Sequence, residues 1–247
     1  MISIRNIRKS FSDKQILKGI NLEMPTGKTI VLIGPSGCGK STLLRIVMGL
    51  ISQDSGEVEI QGNVVSSKNI LLLRQKMGYV IQRGGLFPHL SAHDNCTLVT
   101  NYLGWKEDKI EARLNELCEL VRIDHSLLEQ KPNQLSGGQA QRISLIRALM
   151  LDPDIILLDE PLGSIDPLVR HELQTDLKQI FQKLHKTVLM VTHDLGEATF
   201  LGDEIVLMKE GEIVQQGSIQ EIIKNPASAF VEKFVTAQRS PLEAIKL

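Results

Sequence analysis

Short apolar runs bounded by turn residues recur along the chain. They show little polar alternation and contain many β-branched residues, a pattern typical of strands buried on both faces of a parallel sheet. Segments with helical periodicity lie between several of them, so the pattern predicts a layered α/β core. The predicted core strands are TIVLIG (29–34), GYVIQ (78–82), DIILLD (154–159), TVLMVTH (187–193) and DEIVLM (203–208).

Other parts of the chain show different periodicities. ISIRNIRKSF alternates apolar and polar residues, and GEVEIQG is a short strand pattern between glycines, so both predict a small antiparallel β flank. KEDKIEARLNELCELVRI has a 3.6-residue period, which indicates a helix with one buried face. The residues on that face are Ile110, Leu114, Leu117 and Val121.

These patterns divide one predicted domain, residues 1–247, into three parts. The core with its β flank takes about 1–89 and 150–225, and a helical lobe inserted in it takes about 90–149. A helical tail takes about 226–247. Internal repeats and low-complexity runs are absent.

Composition excludes several classes of protein. The chain has 28 Lys and Arg against 29 Asp and Glu, so its net charge of −1 offers no field of one sign to nucleic acid. Cys38, Cys96 and Cys118 form no C-x-x-C pair, which argues against a disulfide framework or zinc ribbon and favours a reducing cytoplasm. Because a secretory signal and an 18-residue apolar run are lacking, we expect this chain to cross no membrane.

The segment GPSGCGKST matches the phosphate-loop pattern G-x-x-x-x-G-K-S/T between a predicted strand and a predicted helix. Glycines let backbone N–H groups surround phosphate oxygens, and the helix start adds its positive dipole end. Lys40 can reach the β- and γ-phosphates, and the Ser41 hydroxyl can ligate Mg²⁺. We therefore predict a nucleotide site rather than an ordinary glycine-rich turn. Its residues are Gly34, Pro35, Ser36, Gly37, Cys38, Gly39, Lys40, Ser41 and Thr42.

Acidic residues follow a predicted strand in IILLDEP, where four apolar residues lead to Asp159 and Glu160. Ligands bind at strand carboxyl ends in such sheets. Asp159 is placed to hold Mg²⁺ through its water shell, and Glu160 to orient and deprotonate the water that attacks the γ-phosphate. His193 also leaves the tip of a predicted strand, where its imidazole can bond the γ-phosphate. The alternatives are solvated loop acids and a structural histidine.

A second glycine pair lies in LSGGQ, before the helical pattern ISLIRALM. Ser136 is predicted to cap that helix, with the N–H groups around Gly137 and Gly138 facing outward as another anion site. A phosphate held by the first loop has one face covered, so the second loop serves best when it comes from another copy. This suggests a head-to-tail pair of chains.

In order along the chain, GPSGCGKST, Gln82, LSGGQ, IILLDEP, GSID and His193 resemble the motifs of ABC transporter ATP-binding subunits. The resemblance covers essentially the whole chain and implies a P-loop NTPase (RecA-like) fold. It implies ATP hydrolysis coupled to transport, with ATP and Mg²⁺ bound between one chain's phosphate loop and the other's signature loop. The residues carried over as this chain's signature loop are Ser136, Gly137, Gly138 and Gln139.

The resemblance assigns roles to further residues. Phe11 is similar to the aromatic residue that stacks on adenine, a contact of about 1 kcal/mol, with core packing as the alternative. Gln82 is similar to the glutamine that senses Mg²⁺ and the attacking water, with an ordinary strand-end amide as the alternative. Asp166 resembles the aspartate that crosses the dimer seam, although the preceding GSI is unusual. Ala140 stands where many relatives carry a basic residue.

Partners and location also follow from the resemblance. The expected ATPase partner is a second copy of this chain or a homologous ATPase subunit. Membrane permease subunits are expected to dock near Gln82–Asn95, and a periplasmic or lipid-anchored solute-binding protein to act indirectly. The chain is expected at the cytoplasmic face of the inner or plasma membrane, with no nucleic acid partner. The spacing of His89 and His93 does not favour a metal, because Pro88 intervenes and acidic or cysteine ligands are missing.

Three longer stretches look most like ATPases of bacterial osmoprotectant importers, whose cargo is glycine betaine, choline, carnitine or proline. Because the chain stops at Leu247, we expect no regulatory CBS domains. The alternatives are importers of amino acids or other small solutes and exporter or lipid-trafficking ATPases. Soluble repair or translation ATPases have split motifs or two cassettes, which this chain lacks. The stretches are MGYVIQRGGLFPHL, DEPLGSIDPLVR and residues 202–235.

Overall fold

The computed structural model describes residues 1–82, 84–163 and 165–238, without the side chain of residue 168. The chain divides into two compact units. Unit 1 is Met1–Val64 with Met190–Leu247, and unit 2 is Val65–Leu189. The predicted core and lobe, with boundaries near 89 and 149, divide the chain differently and stay a prediction.

The described residues form these elements. The strands are β1 (Ile2–Phe11), β2 (Lys14–Met24), β3 (Thr29–Ile33), β4 (Ser55–Ile60), β5 (Asn63–Val64), β6 (Met77–Val80), β7 (Ile155–Asp159), β8 (Thr187–Val191), β9 (Glu204–Lys209) and β10 (Glu212–Gly217). The α-helices are α1 (Lys40–Val47), α2 (Ile70–Gln75), α3 (Ala92–Tyr102), α4 (Glu107–Val121), α5 (Gly137–Leu149), α6 (Pro167–Leu184), α7 (Leu195–Leu201), α8 (Ile219–Lys224) and α9 (Ala229–Ala237).

Unit 1 contains the predicted antiparallel flank, in the strand order β2-β1-β4-β5. Ile2 of β1 lies opposite Met24 of β2 on one side and Ile60 of β4 on the other. All three of these side chains are buried, because alternation in an extended strand places every second residue on the same face. The alternating pattern therefore predicted this flank correctly.

Unit 1 also contains parallel pairing. β3 runs parallel to β9, with Val31 opposite Ile205, and β10 returns antiparallel beside β9. Every residue of β3 is buried, as expected for a strand covered on both faces. The phosphate-loop segment leaves the carboxyl end of this strand and leads into α1.

Unit 2 contains the parallel pair β6 and β7, with Met77 opposite Ile155 and Val80 opposite Leu158. The helices α3, α4 and α5 lie in the same unit and contact one another. The predicted apolar face of α4 is buried, as the 3.6-residue period requires. These strands and helices confirm the α/β class, the parallel core strands and the antiparallel flank, and α3, α4 and α5 are helices within the segment predicted as a lobe. Among the residues that the structure describes, no helix combines the length and apolar character needed to cross a bilayer.

Candidate nucleotide site

The phosphate loop, residues 34–42, depends on glycine at two positions for packing as well as conformation. Gly34 and Gly39 have φ of 146° and 106°, backbone angles that residues with a side chain rarely adopt. A Cβ on Gly34 would lie 2.1 Å from the Met208 carbonyl oxygen, and one on Gly39 would lie 2.6 Å from Leu17 Cδ2. The backbone here can therefore approach its surroundings more closely than any other residue would allow.

Lys40 begins α1 and places its ammonium against the same loop. Its side chain is buried, and Nζ donates to the carbonyl oxygens of Gly34 at 2.8 Å and Pro35 at 3.1 Å. Gly39 is the N-cap of α1 and supplies no side-chain acceptor to the first turn. A cation inside a curved backbone next to a helix start is an arrangement that fits phosphate oxygens.

Phe11 and His193 are the other predicted site residues in unit 1. Phe11 ends β1 with 47% of its surface exposed, so core packing does not account for it. Lys9 Nζ lies 5.3 Å from the centre of the Phe11 ring, so a cation contacts one face of this ring. His193 is exposed between β8 and α7.

Gln82, Asp159 and Glu160 lie in unit 2, and two of them are in direct contact. Gln82 Nε2 donates to Glu160 Oε2 at 2.8 Å. Asp159 is the last residue of β7 and is 2% exposed, whereas Glu160 follows it with a φ of 47°. A residue other than glycine held in the left-handed region is strained, and such strain is concentrated at functional sites.

The signature loop, residues 135–139, has the cap that the sequence predicted. Ser136 Oγ accepts from the Gln139 N–H at 3.2 Å, and Gln139 Oε1 accepts from the Ser136 N–H at 2.8 Å. This reciprocal capping box starts the 13-residue helix α5. A Cβ on Gly138 would lie 2.5 Å from Val169 Cγ1, so α5 packs closely against α6 at this point.

A cavity of about 220 Å³ in unit 2 connects the start of α5 with the acidic residue after β7. The residues that line it come from the first turn of α5 and from the segment before α6. They are Gly137, Ala140, Gln141, Glu160, Pro161, Gly163 and Ile165. Asp166 follows this segment, is exposed, and accepts the Arg170 N–H through its backbone oxygen at 2.8 Å. Ser164 of the predicted GSID motif lies outside the described residues.

Residues 17–163 match the family model described as ABC transporter. This span is more than half of the chain. The chain belongs to the ABC transporter family. The match contains the phosphate loop, Gln82, the signature loop and both acidic residues, and it excludes Phe11, Asp166 and His193. The roles of those three residues depend on motif similarity and local geometry alone.

Relatives within the ABC transporter family act on more than one kind of solute. The chain is 43% identical over 240 residues to the glycine betaine/carnitine/choline transport ATP-binding protein OpuCA of Bacillus subtilis, covering 97% of this chain and 63% of that protein. It is 44% identical over 238 residues to the sulfate/thiosulfate import ATP-binding protein CysA of Neisseria meningitidis, covering 95% and 66%. The chain thus spans somewhat less than two thirds of the length of these relatives.

A solved structure in the ABC transporter family has the same fold. It is the dimeric post-hydrolysis state of the ATP-binding cassette MJ0796 bound to ADP and Pi, at a TM-score of 0.79 and 33% identity. The likeness covers 89% of this chain and 99% of that one. This confirms the fold class predicted from the motifs.

Two residues that sequence reasoning missed hold the segment following Gln82 in this ABC transporter chain. Ser144 Oγ and Arg147 Nη2 both donate to the Gly84 carbonyl oxygen at 2.9 Å, and Arg147 Nη1 donates to that of Gly85 at 2.9 Å. Both residues lie on α5, the helix that the signature loop begins. Their apolar helical surroundings in ISLIRALM carried no signal of this contact, since it joins residues about sixty positions apart.

The expected docking segment, Gln82–Asn95, is held by a buried amide. The Asn95 side chain accepts the Phe87 N–H at 2.8 Å and donates to three backbone oxygens in residues 87–91. Phe87 itself remains 44% exposed. Arg83 lies outside the described residues.

His93 of this segment contacts an acidic residue. Its Nε2 lies 2.8 Å from Glu111 Oε1. Burial opposes the charged form of His93, but hydrogen bonds to Glu111 and Asp94 outweigh it and raise the pKa of His93. No group of three or more His, Cys, Asp or Glu residues suited to a metal is found within the described ranges.

Proposed function

We propose that this chain is the ATP-binding and ATP-hydrolysing part of a bacterial ABC importer. The observation that carries the proposal is that one chain builds two separate helix starts suited to anions, at Gly39 before α1 and at Ser136 before α5. A single triphosphate has no need of both in one copy. We infer that two copies associate head to tail around two ATP molecules, as the dimeric form of the related cassette MJ0796 suggests.

In this proposal the residues of unit 1 bind the nucleotide. The loop glycines present N–H groups to the phosphates, and Lys40 neutralises charge on the β- and γ-phosphates. Phe11 stacks on the adenine, and His193 bonds the γ-phosphate. The partner copy's signature loop covers the opposite face of the triphosphate.

The residues of unit 2 supply the hydrolytic chemistry. Glu160 accepts a proton from the attacking water, and Gln82, which contacts it at 2.8 Å, holds its carboxylate in place. We propose that the Ser41 hydroxyl and the Gln82 amide oxygen ligate Mg²⁺ and that Asp159 holds it through its water shell, since Mg²⁺ prefers hard oxygen groups. When bound, Mg²⁺ offsets the negative charge of the phosphate oxygens.

We expect Phe11→Ala to weaken ATP binding about fivefold, corresponding to about 1 kcal/mol of lost stacking. Its folding should be unchanged because the ring is half exposed. Titration of the purified chain with a fluorescent ATP analogue measures the effect, and Tyr102→Ala, which removes another exposed aromatic ring, is the control. Equal affinity in the two variants would argue against stacking on Phe11.

We further propose that the ATPase acts at the cytoplasmic face of the membrane and drives uptake through separate permease subunits. Phe87 and its neighbours in Gln82–Asn95 form the proposed docking surface, since an exposed ring on a rigidly held loop suits a protein interface. A solute-binding protein delivers the cargo. Glycine betaine, choline or carnitine is the proposed cargo class, because OpuCA, a transport ATP-binding protein for these solutes, is 43% identical to this chain.

A second candidate cargo is an inorganic oxyanion, because CysA, a sulfate/thiosulfate import ATP-binding protein, is 44% identical. Co-purification of this chain with its membrane and solute-binding subunits separates the two. We expect the binding subunit to retain a quaternary ammonium compound, identified by mass spectrometry after denaturation. If calorimetry shows that the binding subunit binds sulfate but not glycine betaine, choline or carnitine, the oxyanion becomes the proposed cargo.

A further inference from the structure

The turn that carries His193 is held from both sides by hydrogen bonds within unit 1. Immediately before His193, the Thr192 N–H donates to the Leu32 carbonyl oxygen of β3 at 3.1 Å. Immediately after it, the Asp194 N–H donates to Thr192 Oγ1 at 3.1 Å. Thr192 therefore fixes the backbone on both sides of the imidazole.

The Thr192 hydroxyl is itself oriented by a buried carboxylate. Oγ1 donates to Glu197 Oε2 at 2.6 Å, and the two residues are 1% and 4% exposed. The bond joins a hydroxyl to a carboxyl group away from water, where hydrogen bonds are strong and hold one geometry. The hydroxyl hydrogen is directed to Glu197, which leaves an oxygen lone pair to accept the Asp194 N–H.

Glu197 also closes this network through its backbone. Its N–H donates to Asp194 Oδ1 at 3.0 Å, which caps α7. The next residue after that cap, Leu195, donates its N–H to Gln238 Oε1 at 2.8 Å. The helix that carries Glu197 is thus tied to the same turn and to the residue that follows α9.

We propose that Thr192 and Glu197 are positioning residues that hold His193 where its imidazole reaches the γ-phosphate. They act through the His193 turn and touch no substrate themselves. This inference rests on the proposed ATPase function, and it makes the position of His193 depend on the hydrogen bonds among Thr192, Asp194 and Glu197. Loss of the Thr192 hydroxyl removes the donor to Glu197 and the acceptor for Asp194 in one step.

The test is a double-mutant cycle between Thr192→Val and His193→Ala in the complete chain. We expect Thr192→Val to lower kcat about tenfold while KM for ATP changes less than about twofold, because a contact made in the transition state is lost. In the His193→Ala background, Thr192→Val should lower kcat no further, because the two residues act as one unit. Thr192→Ser, which keeps the hydroxyl, should restore kcat to within about twofold of the unmodified chain.

Thr199→Val is the matched control, since Thr199 lies on α7 and its hydroxyl donates within that helix, to the Leu195 carbonyl oxygen at 2.7 Å. A Thr192→Val variant with unchanged kcat, or one whose kcat falls equally in both His193 backgrounds, overturns the proposal. If Thr192→Val does not fold, the cycle is repeated with the near-isosteric Glu197→Gln. Replacing the carboxyl acceptor by an amide should then lower kcat about threefold in the chain that keeps His193, with no further loss in the His193→Ala chain. If His193→Ala itself leaves hydrolysis unchanged, the role proposed for His193 fails instead.

Discussion

Glu160→Gln is expected to slow ATP hydrolysis about a hundredfold or more while ATP binding is retained. The substitution removes the proton acceptor but keeps the size of the side chain, and the amide oxygen can still accept from Gln82 Nε2. Binding is retained because the phosphate-loop residues are unchanged. With hydrolysis blocked, the ATP-bound pair of chains should persist, and gel filtration in the presence of ATP and Mg²⁺ detects it. Release of inorganic phosphate measures the rate.

Glu119→Gln is the matched control for this experiment. Glu119 lies in the same unit and is exposed, so the control makes the same chemical change away from the site. Turnover of the Glu160 variant close to that of the control would exclude Glu160 as the proton acceptor. If Glu160→Gln is slow and also fails to bind ATP, its defect lies in binding. The assignment of Glu160 as the proton acceptor would then fail as well.

Ser136→Arg is expected to reduce hydrolysis about a hundredfold or more without changing the ATP affinity of an isolated chain. The substitution places a long charged side chain where the partner's triphosphate is proposed to lie, and removes the capping oxygen that accepts the Gln139 N–H. Loss of contacts that a helix start makes to negative charge in the transition state lowers turnover by about a hundredfold or more. The phosphate loop belongs to unit 1 and is untouched. Phosphate release and nucleotide titration, both over a dilution series, report the two quantities.

Ser218→Arg controls for the loss of a capping box. Ser218 starts α8 with the same reciprocal arrangement, in which Glu221 replaces Gln139. Both variants lose a helix cap worth about 1 kcal/mol, so a difference in turnover between them reports the position of the loop. A large loss of ATP affinity in dilute Ser136→Arg, where chains are monomeric, would mean that each chain's signature loop binds its own nucleotide.

Strands with continuous apolar runs were predicted well from the sequence, whereas a strand with a short apolar run was not. β3, β7 and β8 begin and end within two residues of their predicted limits. β10 was not predicted, since EIVQQG has only a short apolar run, and it becomes a strand by pairing with β9 across a turn at Glu210 and Gly211. Hydrogen bonding to a neighbouring strand can thus override a weak local pattern.

By itself, the sequence determined the α/β class, the two glycine-bearing helix starts, the acidic pair at the end of β7 and the membership of a family. These features depend on local periodicity and on residue types whose chemistry does not change with context. Only the tertiary structure decided that Glu160 adopts a strained left-handed conformation against Gln82, and that Thr192 and Glu197 form a buried hydrogen bond next to the His193 turn. The physical reason is that burial and hydrogen-bond geometry arise when separate segments pack together. A residue's own neighbours in the chain do not specify them.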